Sequence, residues 1–322
     1  MKNAAVETTS LAEGVRQGDP RAIARAISVI ENRDQGAEKL IRELFPHTGR
    51  ALLVGVTGAP GTGKSSLVNT LAARFRTAGK RVGILAVDPT SPFTGGALLG
   101  DRIRMQQHAT DDGIYIRSMA TRGYLGGLAR ATADAALVLD AAGKDVILIE
   151  TVGVGQDEVD IVRLADATLL LLVAGLGDDV QNFKAGVMEI ADVFVINKAD
   201  RGDTERLEAQ LKAMLSLSQR ADRWAPPVVR TVATEGTGVP KLAEALEDYV
   251  RHLDAAGLRE EKRVERWQQR LLDLIRQQAL DRVLRSSHGP EQLAEAARQV
   301  AGRQRDPYSV VAELLRSAGM NT

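Results

Sequence analysis

The stretch Ala51-Leu52-Leu53-Val54-Gly55-Val56-Thr57-Gly58-Ala59-Pro60-Gly61-Thr62-Gly63-Lys64-Ser65 decides how the rest of this sequence is interpreted. An apolar, valine-rich run ends in a glycine-rich turn, and a helical pattern follows directly. The spacing G-x-x-x-x-G-K-[ST] between a strand and a helix is typical of a loop whose backbone N–H groups surround phosphates. We therefore predict a nucleotide phosphate site here. An ordinary glycine-rich connection is the alternative.

The roles expected within this loop follow from side-chain chemistry. Lys64 should reach the β- and γ-phosphates and take part in catalysis, and the Ser65 hydroxyl should bind Mg²⁺. The positive end of the helix that begins near Lys64 adds to the attraction for phosphate. The predicted nucleotide-binding residues of the loop are Gly58, Ala59, Pro60, Gly61, Thr62, Gly63, Lys64, Ser65 and Ser66.

The composition excludes several classes of protein. The 322 residues have zero formal net charge, no cysteine, four histidines and few aromatic residues. We therefore expect no disulfide framework, no cysteine-based zinc or redox site and no nucleic-acid partner. Residues 1–10 lack the pattern of a signal peptide, and no apolar run approaches the roughly 20 residues of a membrane span. We expect a cytoplasmic protein without a membrane partner.

Strand-like and helix-like segments alternate through the middle of the chain, which predicts an α/β fold with a mostly parallel, doubly wound sheet. Most of the strand candidates are near-continuous apolar runs, as expected for strands that are covered on both faces. In such sheets, ligands bind at the carboxyl ends of the strands. The strand candidates are Ala51–Val56, Arg81–Val87, Ile114–Arg117, Asp145–Ile149, Ala167–Val173, Val193–Ile196 and Val228–Val232.

Helical patterns flank this central part. Asp19 and Pro20 are typical of a helix start, and apolar residues spaced three or four apart follow them. Near the C-terminus, a long charged helix carries an apolar stripe and two shorter helices follow. This stripe favours a dimerisation arm, with packing of the helix on its own domain as the alternative. We predict an N-terminal helical extension over residues 1–46, a phosphate-binding domain over 47–253 and a helical dimerisation arm over 254–322.

Polar residues follow the second and fourth predicted strands. Asp88, Asp101 and Glu150 are candidate Mg²⁺ ligands, although Mg²⁺ uses only one or two carboxylates directly. Asp101 alternatively caps a helix. The Gly153 N–H is placed to sense a γ-phosphate, so that this loop would differ between triphosphate and diphosphate states. Gln156 could orient an attacking water, or it could be a solvent-facing loop amide.

The sixth predicted strand is followed by Asn197-Lys198-Ala199-Asp200, the pattern N-K-x-D. Asp200 would accept hydrogen bonds from guanine N1–H and N2–H₂, whereas adenine presents the wrong edge to a carboxylate. Asn197 and the stem of Lys198 would brace the base and the phosphate loop. Together with that loop, the pattern predicts GTP and GDP as ligands. A fifth guanine-contacting segment would lie near Thr231–Ala233, where the sequence match is poor.

Four longer segments carry a resemblance to one family. The chain is similar over nearly its whole length to the MeaB/ArgK GTPases, chaperones of adenosylcobalamin-dependent acyl-CoA mutases. It departs from the family pattern at Asp157, Ala174 and Tyr124, in or near switch loops, which leaves open which mutase is the partner. The four segments are DPTSPFTGGALLGDRIRM (Asp88–Met105), IRSMATRGYLGGLA (Ile116–Ala129), ETVGVGQDE (Glu150–Glu158) and MEIADVFVINKAD (Met188–Asp200).

The resemblance implies a SIMIBI-class P-loop GTPase whose Mg²⁺-dependent hydrolysis gates adenosylcobalamin delivery to a mutase and release of damaged cofactor. Methylmalonyl-CoA mutase or a close relative would be the partner, and the arm would form a homodimer. It also implies that Asp88, Asp101 and Glu150 surround Mg²⁺. The loop Asp178–Lys184 would be a further switch that responds to the mutase, with Lys184 as a candidate catalytic residue.

Two other functions share parts of the pattern. A metal-delivery GTPase of the urease or hydrogenase maturation type would have the same kind of domain. Such proteins carry Cys or His metal ligands, and this sequence has no cysteine and no histidine cluster. A protein kinase acting on amino-acid transport components is the other alternative, but the sequence lacks the kinase signatures H-R-D-x-x-x-x-N and D-F-G.

Overall fold

The computed structural model describes residues 10–88, 111–120, 127–151, 164–175, 191–217, 220–284 and 289–320. The chain divides into two compact units, Met1–Arg259 and Glu260–Thr322. The first unit contains the phosphate loop, the N-K-x-D segment and the helices that precede them. The second unit is helical.

The first unit is built around a parallel sheet, which confirms the predicted α/β class. In the part of the chain that the structure describes, seven strands form this sheet in the order β3-β2-β4-β1-β5-β6-β7. Each predicted strand is present, with small shifts at its ends. The bounds are β1 Leu52–Gly58, β2 Val82–Asp88, β3 Ile114–Ala120, β4 Val146–Glu150, β5 Ala167–Leu172, β6 Val193–Asn197 and β7 Val228–Thr231.

Helices cover both faces of the sheet. Residues 10–16 are helical, and Phe45–His47 form a single 3₁₀ turn. The other helices of the first unit are α1 Pro20–Glu31, α2 Ala37–Leu44, α3 Lys64–Thr77, α4 Gly127–Ala141, α5 Thr204–Leu217 and α6 Val239–Ala255. The second unit contains most of α7 Leu258–Leu284, together with α8 Gly289–Ala301 and α9 Pro307–Ser317.

The apolar strand runs are explained by this two-sided burial. Every residue of β4 and β5 is buried. Because successive side chains of a strand point to opposite faces, Leu148 packs in one hydrophobic cluster with α3 and α6. Its neighbours Ile147 and Ile149 pack in another cluster with α1 and α4. A strand covered on both faces needs apolar residues at consecutive positions, as the sequence shows.

The N-terminal helices pack on the sheet through α4. The side chain of Asp19 caps α1 by accepting a hydrogen bond from the Arg21 N–H at 3.1 Å, and Pro20 occupies the first turn. The buried residues of α1, which pack in one cluster with residues of α4, are Ala22, Ile23, Ala26, Ile27 and Ile30. The predicted helix start and the packing of this segment on the domain that contains the sheet are therefore confirmed.

The second unit presents apolar side chains to solvent. No residue of α7 is buried, and the side chains of Val264, Leu271 and Ile275 are exposed by 46%, 53% and 62%. These positions are separated by seven and four residues, so they lie on one face of the helix. No helix within the described residues is both long and apolar enough to cross a membrane.

Aspartates hold the amino ends of several strands, on the side of the sheet opposite the phosphate loop. Asp140 accepts hydrogen bonds from the backbone N–H groups of Gly49, Arg50 and Ala51, which lead into β1. Asp166 accepts from the Leu53 N–H at 2.8 Å. These carboxylates satisfy backbone N–H groups at the amino end of β1; the bond to Ala51 is buried, and the other bonds are partly buried.

The start of β6 is fixed by a buried ion pair. Asp192 lies 2.7 Å from the Arg220 guanidinium and accepts a hydrogen bond from the Thr168 N–H at 2.9 Å. Burial would lower the pKa of Arg220, but contacts with Asp222 and Asp192 outweigh it and raise that pKa. Burial, with the adjacent Asp192 carboxylate, raises the pKa of the Tyr249 hydroxyl. Because β6 ends at the N-K-x-D segment, this network helps to set the position of that segment.

We predict that Asp140→Ala lowers the free energy of unfolding by about 2–4 kcal/mol, since three backbone N–H groups lose their acceptor. Urea denaturation measures this change. The control is Asp248→Ala, which removes a solvent-exposed i,i+3 ion pair with Arg251 and should cost less than about 1 kcal/mol. Equal losses in the two variants would contradict the role given to Asp140.

Candidate functional site

The phosphate loop joins β1 to α3 through glycines that other residues could not replace. Gly58 and Gly63 have φ values of 146° and 90°, in the region that favours glycine. A Cβ at Gly63 would lie 2.5 Å from Asn197 Nδ2, and one at Gly58 would lie 2.4 Å from the Leu171 carbonyl oxygen. The loop therefore packs tightly against β5 and against the N-K-x-D segment.

Lys64 lies at the base of a cleft of about 320 Å³. Its side chain is buried, and its Nζ donates to the carbonyl oxygens of Gly58 at 2.7 Å and Ala59 at 3.1 Å. The cleft brings the phosphate loop together with the carboxyl ends of β2 and β4. Its lining residues are Pro60, Gly61, Gly63, Lys64, Ser65, Ser66, Ala86, Val87, Glu150 and Thr151.

Two predicted Mg²⁺ ligands meet in this cleft. The Ser65 hydroxyl donates a hydrogen bond to Glu150 Oε1, and Glu150 is buried at the end of β4. A hydroxyl and a carboxylate are the hard oxygen ligands that Mg²⁺ prefers, so this pair fits the ion. The backbone of Asp88 ends β2 at the same edge, because Ala86 is in register with Glu150. The side chain of Asp88 and the whole of Asp101 lie outside the described residues.

The residue after Glu150 is fixed to β1. Thr151 donates from its N–H to the Val56 carbonyl oxygen at 3.1 Å and from its hydroxyl to Thr57 Oγ1 at 3.1 Å. Thr151 itself therefore lies beside the phosphate loop. Three predicted residues, Gly153, Gln156 and Lys184, lie outside the described residues, so their roles stay predictions.

Asn197 connects three segments of the site. Its Nδ2 donates to the Thr62 carbonyl oxygen of the phosphate loop at 2.8 Å. Its Oδ1 accepts from the Thr231 hydroxyl at 3.0 Å and from the Ala233 N–H at 3.1 Å. Asn197 is 2% exposed, so these three bonds are made away from water. The structure thus places Asn197 where it braces the phosphate loop, as the sequence predicts.

Lys198 and Asp200 form the outer part of the same turn. Lys198 has a φ of 56°, and its Nζ donates to the Gly61 carbonyl oxygen at 2.8 Å. The Asp200 side chain is 44% exposed, and its carboxylate lies 3.4 Å from the Arg201 guanidinium in an ion pair on the surface. The Asp200 carboxylate can therefore accept hydrogen bonds from a ligand, because exposed ion pairs are weak.

Some contacts of the site were not predicted from the sequence. Thr57 and Thr151 fix the start of the segment after β4, and Thr231 holds the amide of Asn197. Threonine in a strand is common for reasons of β propensity alone, so its presence gives no signal of this role. The only available signal was position, since each threonine lies at the carboxyl end of a predicted strand or directly after it.

Comparisons with known proteins agree with this geometry. Residues 23–288 match the model of the family described as methylmalonyl-CoA mutase-associated GTPase MeaB. A provisionally named GTPase of Pyrococcus abyssi is 49% identical over 309 residues, covering 95% of each chain. A mouse protein named as the methylmalonic aciduria type A homolog, mitochondrial, is 33% identical over 287 residues, covering 83% of this chain and 69% of that one.

A solved structure has a similar fold. The crystal structure of an LAO/AO transport system kinase superposes with a TM-score of 0.71 at 25% identity and covers 96% of each chain. The region matched by the family model, residues 23–288, contains the phosphate loop, the Ser65–Glu150 pair and the N-K-x-D turn. On the family match and on this level of identity, the chain belongs to the MeaB family of GTPases.

Proposed function

We propose that this protein is a Mg²⁺-dependent GTPase that acts as a switch for an adenosylcobalamin-dependent acyl-CoA mutase. One observation carries the nucleotide part of the proposal. Asn197 holds the turn that contains Asp200 directly against the phosphate loop. A single ligand with a guanine base and a phosphate chain can therefore contact Asp200 and the phosphate loop at the same time.

The described residues account for nucleotide binding. The amide groups of the phosphate loop and the start of α3 attract the phosphates. Lys64 would exchange its two carbonyl acceptors for phosphate oxygens, which carry a negative charge and therefore attract the ammonium group more strongly than a neutral carbonyl does. Ser65 and Glu150, with Asp88, would hold Mg²⁺. When bound, this ion neutralises charge on the phosphate oxygens.

Base selection rests on Asp200. An exposed carboxylate can accept from the two neighbouring N–H groups of guanine, whereas adenine offers it an acceptor nitrogen. Because Asp200 follows Lys198 in a turn fixed to Gly61, its distance from the phosphates is set by the fold and not by the ligand. A site that is organised before binding loses less entropy when the ligand binds.

The switch part of the proposal concerns the segments that begin at Glu150 and end at Ala191. Thr151 fixes the start of the first segment beside the phosphates. We propose that Gly153 senses the γ-phosphate, that Gln156 orients the attacking water, and that Lys184 assists hydrolysis once the partner is bound. Such a device would make the affinity for the partner depend on the nucleotide.

The mutase partner is supported by the family description, which names methylmalonyl-CoA mutase, and by the methylmalonic aciduria name of the mouse relative. We propose that GTP hydrolysis gates adenosylcobalamin loading and protects or reactivates the mutase. The family description supports this role over the metal-delivery alternative. A cytoplasmic location remains a prediction from the sequence.

We predict that hydrolysis of GTP is slow for the isolated protein and rises at least about tenfold with the right mutase, as for switch GTPases that need a partner. Phosphate release with and without each candidate mutase measures this effect. Lys64→Met should abolish the activity, and Lys80→Met, on the surface, should not. No stimulation by any adenosylcobalamin-dependent mutase would contradict the proposal. Transfer of the γ-phosphate to a protein would favour a kinase.

We also propose that α7 forms a homodimer through the face with Val264, Leu271 and Ile275. These three side chains are exposed by about half in the single chain, and burial of such a stripe is the usual reason for helix association. The amphipathic pattern of α7 fits a second copy of the same helix. Dimerisation would bring two GTP sites into each assembly.

The double substitution Leu271→Glu and Ile275→Glu is expected to convert a dimer into a monomer, because charge on this face opposes burial. Sedimentation equilibrium measures the mass. The control, Gln269→Glu, adds a charge at an exposed polar position of α7 and should leave the dimer intact. A monomeric wild-type protein, or a dimer that survives the double substitution, would contradict the proposal.

A further inference from the structure

Thr70 links α3, the helix that follows the phosphate loop, to the turn that follows β7. It lies on α3, five residues after Ser65, and its hydroxyl donates to the carbonyl oxygen of Ala233 at 2.7 Å. The same hydroxyl lies 2.9 Å from the Ser66 carbonyl oxygen in the preceding turn of the helix. Ala233 is 163 residues away in sequence, so this contact is tertiary.

The hydroxyl of a threonine in a helix often bonds only to the carbonyl one turn earlier. Thr77 on the same helix does so, with the Ala73 carbonyl oxygen at 3.0 Å. Thr70 differs from Thr77 because it has a second acceptor on another segment. The shorter of its two distances is to that second acceptor, which indicates a role beyond the helix itself.

Ala233 is held on both sides. Its N–H donates to Asn197 Oδ1, and its carbonyl oxygen accepts from Thr70. It belongs to a tight turn closed by the pairing of Val232 with Thr237 and by a bond from the Glu235 N–H to the Val232 carbonyl oxygen. The peptide groups around Ala233 therefore have little freedom.

The next residue offers a group to a ligand. Thr234 is exposed, and within the described part of the chain its N–H makes no hydrogen bond. The N–H groups on either side of it are both used, one on Asn197 and one on Val232. The turn follows β7, the strand next to β6, so the Thr234 N–H lies at the same edge of the sheet as Asp200.

We propose that Thr70 is a positioning residue for guanine recognition, which holds Ala233 so that the adjoining Thr234 N–H can donate to guanine O6. This inference rests on the proposed binding of guanine nucleotides. Because α3 begins with Lys64 and Ser65, this role of Thr70 would make one helix fix both the phosphate contacts and the contact with guanine O6.

The test compares two ligands that differ at one atom. GDP and 6-thioguanosine diphosphate both offer N1–H and the 2-amino group to Asp200, but sulfur is a weaker acceptor than O6. Isothermal titration should show that Thr70→Val weakens GDP binding about fivefold, the equivalent of one net hydrogen bond. Binding of the thio analogue should weaken less than twofold. Thr70→Ser, which keeps the hydroxyl, should bind both as the wild type does.

Thr77→Val is the matched control, since it removes a threonine hydroxyl from the same helix that bonds only to its own helix. It should change neither affinity. Thr70→Ala gives a second variant without the hydroxyl, so that the result does not depend on how valine packs. Equal weakening for GDP and the thio analogue, or no weakening, would overturn the role of Thr70. The affinity of the wild-type protein for ADP tests the proposed function separately. If the wild-type protein does not bind GDP more tightly than ADP, the proposed guanine binding itself is overturned.

Discussion

The site depends on the buried side chain of Asn197. Its amide donates to the phosphate loop and accepts from the last residue of β7 and from the turn that follows β7. One side chain therefore joins three segments that are distant in sequence. A buried amide that is held by three hydrogen bonds has little freedom, and loss of one partner would leave polar groups unpaired. The spacing between the phosphate site and the base site is therefore a property of the fold before any nucleotide is bound.

The order of the strands brings these segments together. β1 lies at the centre between β4 and β5, and β6 follows, so the phosphate loop, Glu150 and Asn197 all emerge at one edge. Carboxylates such as Asp140 and Asp166 satisfy the backbone at the opposite edge. The two edges of the sheet thus differ in role. Hydrogen bonds from side chains satisfy the backbone at the amino ends of the strands, and the carboxyl ends are accessible to a ligand.

The sequence predicted the strands, the phosphate loop and the N-K-x-D turn because each has a local pattern. Consecutive apolar residues indicate a covered strand, and the positive φ of Gly63 needs a glycine. The contacts of Asp140 and Thr70 could not be predicted in the same way. Each contact joins residues that are 89 or more positions apart. An aspartate near the end of a helix, such as Asp140, is common, and so is a threonine that bonds to the carbonyl oxygen four residues earlier, such as Thr70.

We expect the carboxylate of Asp200, which lies in the turn that begins at Asn197, to select guanine over other bases. The most direct measurement is nucleotide binding by Asp200→Asn with GDP and xanthosine diphosphate. Xanthine has a carbonyl oxygen where guanine has its 2-amino group, so an amide donor should replace the carboxylate acceptor. We predict that the variant loses GDP affinity by at least about a hundredfold and gains affinity for xanthosine diphosphate. Unchanged preference for GDP would contradict it.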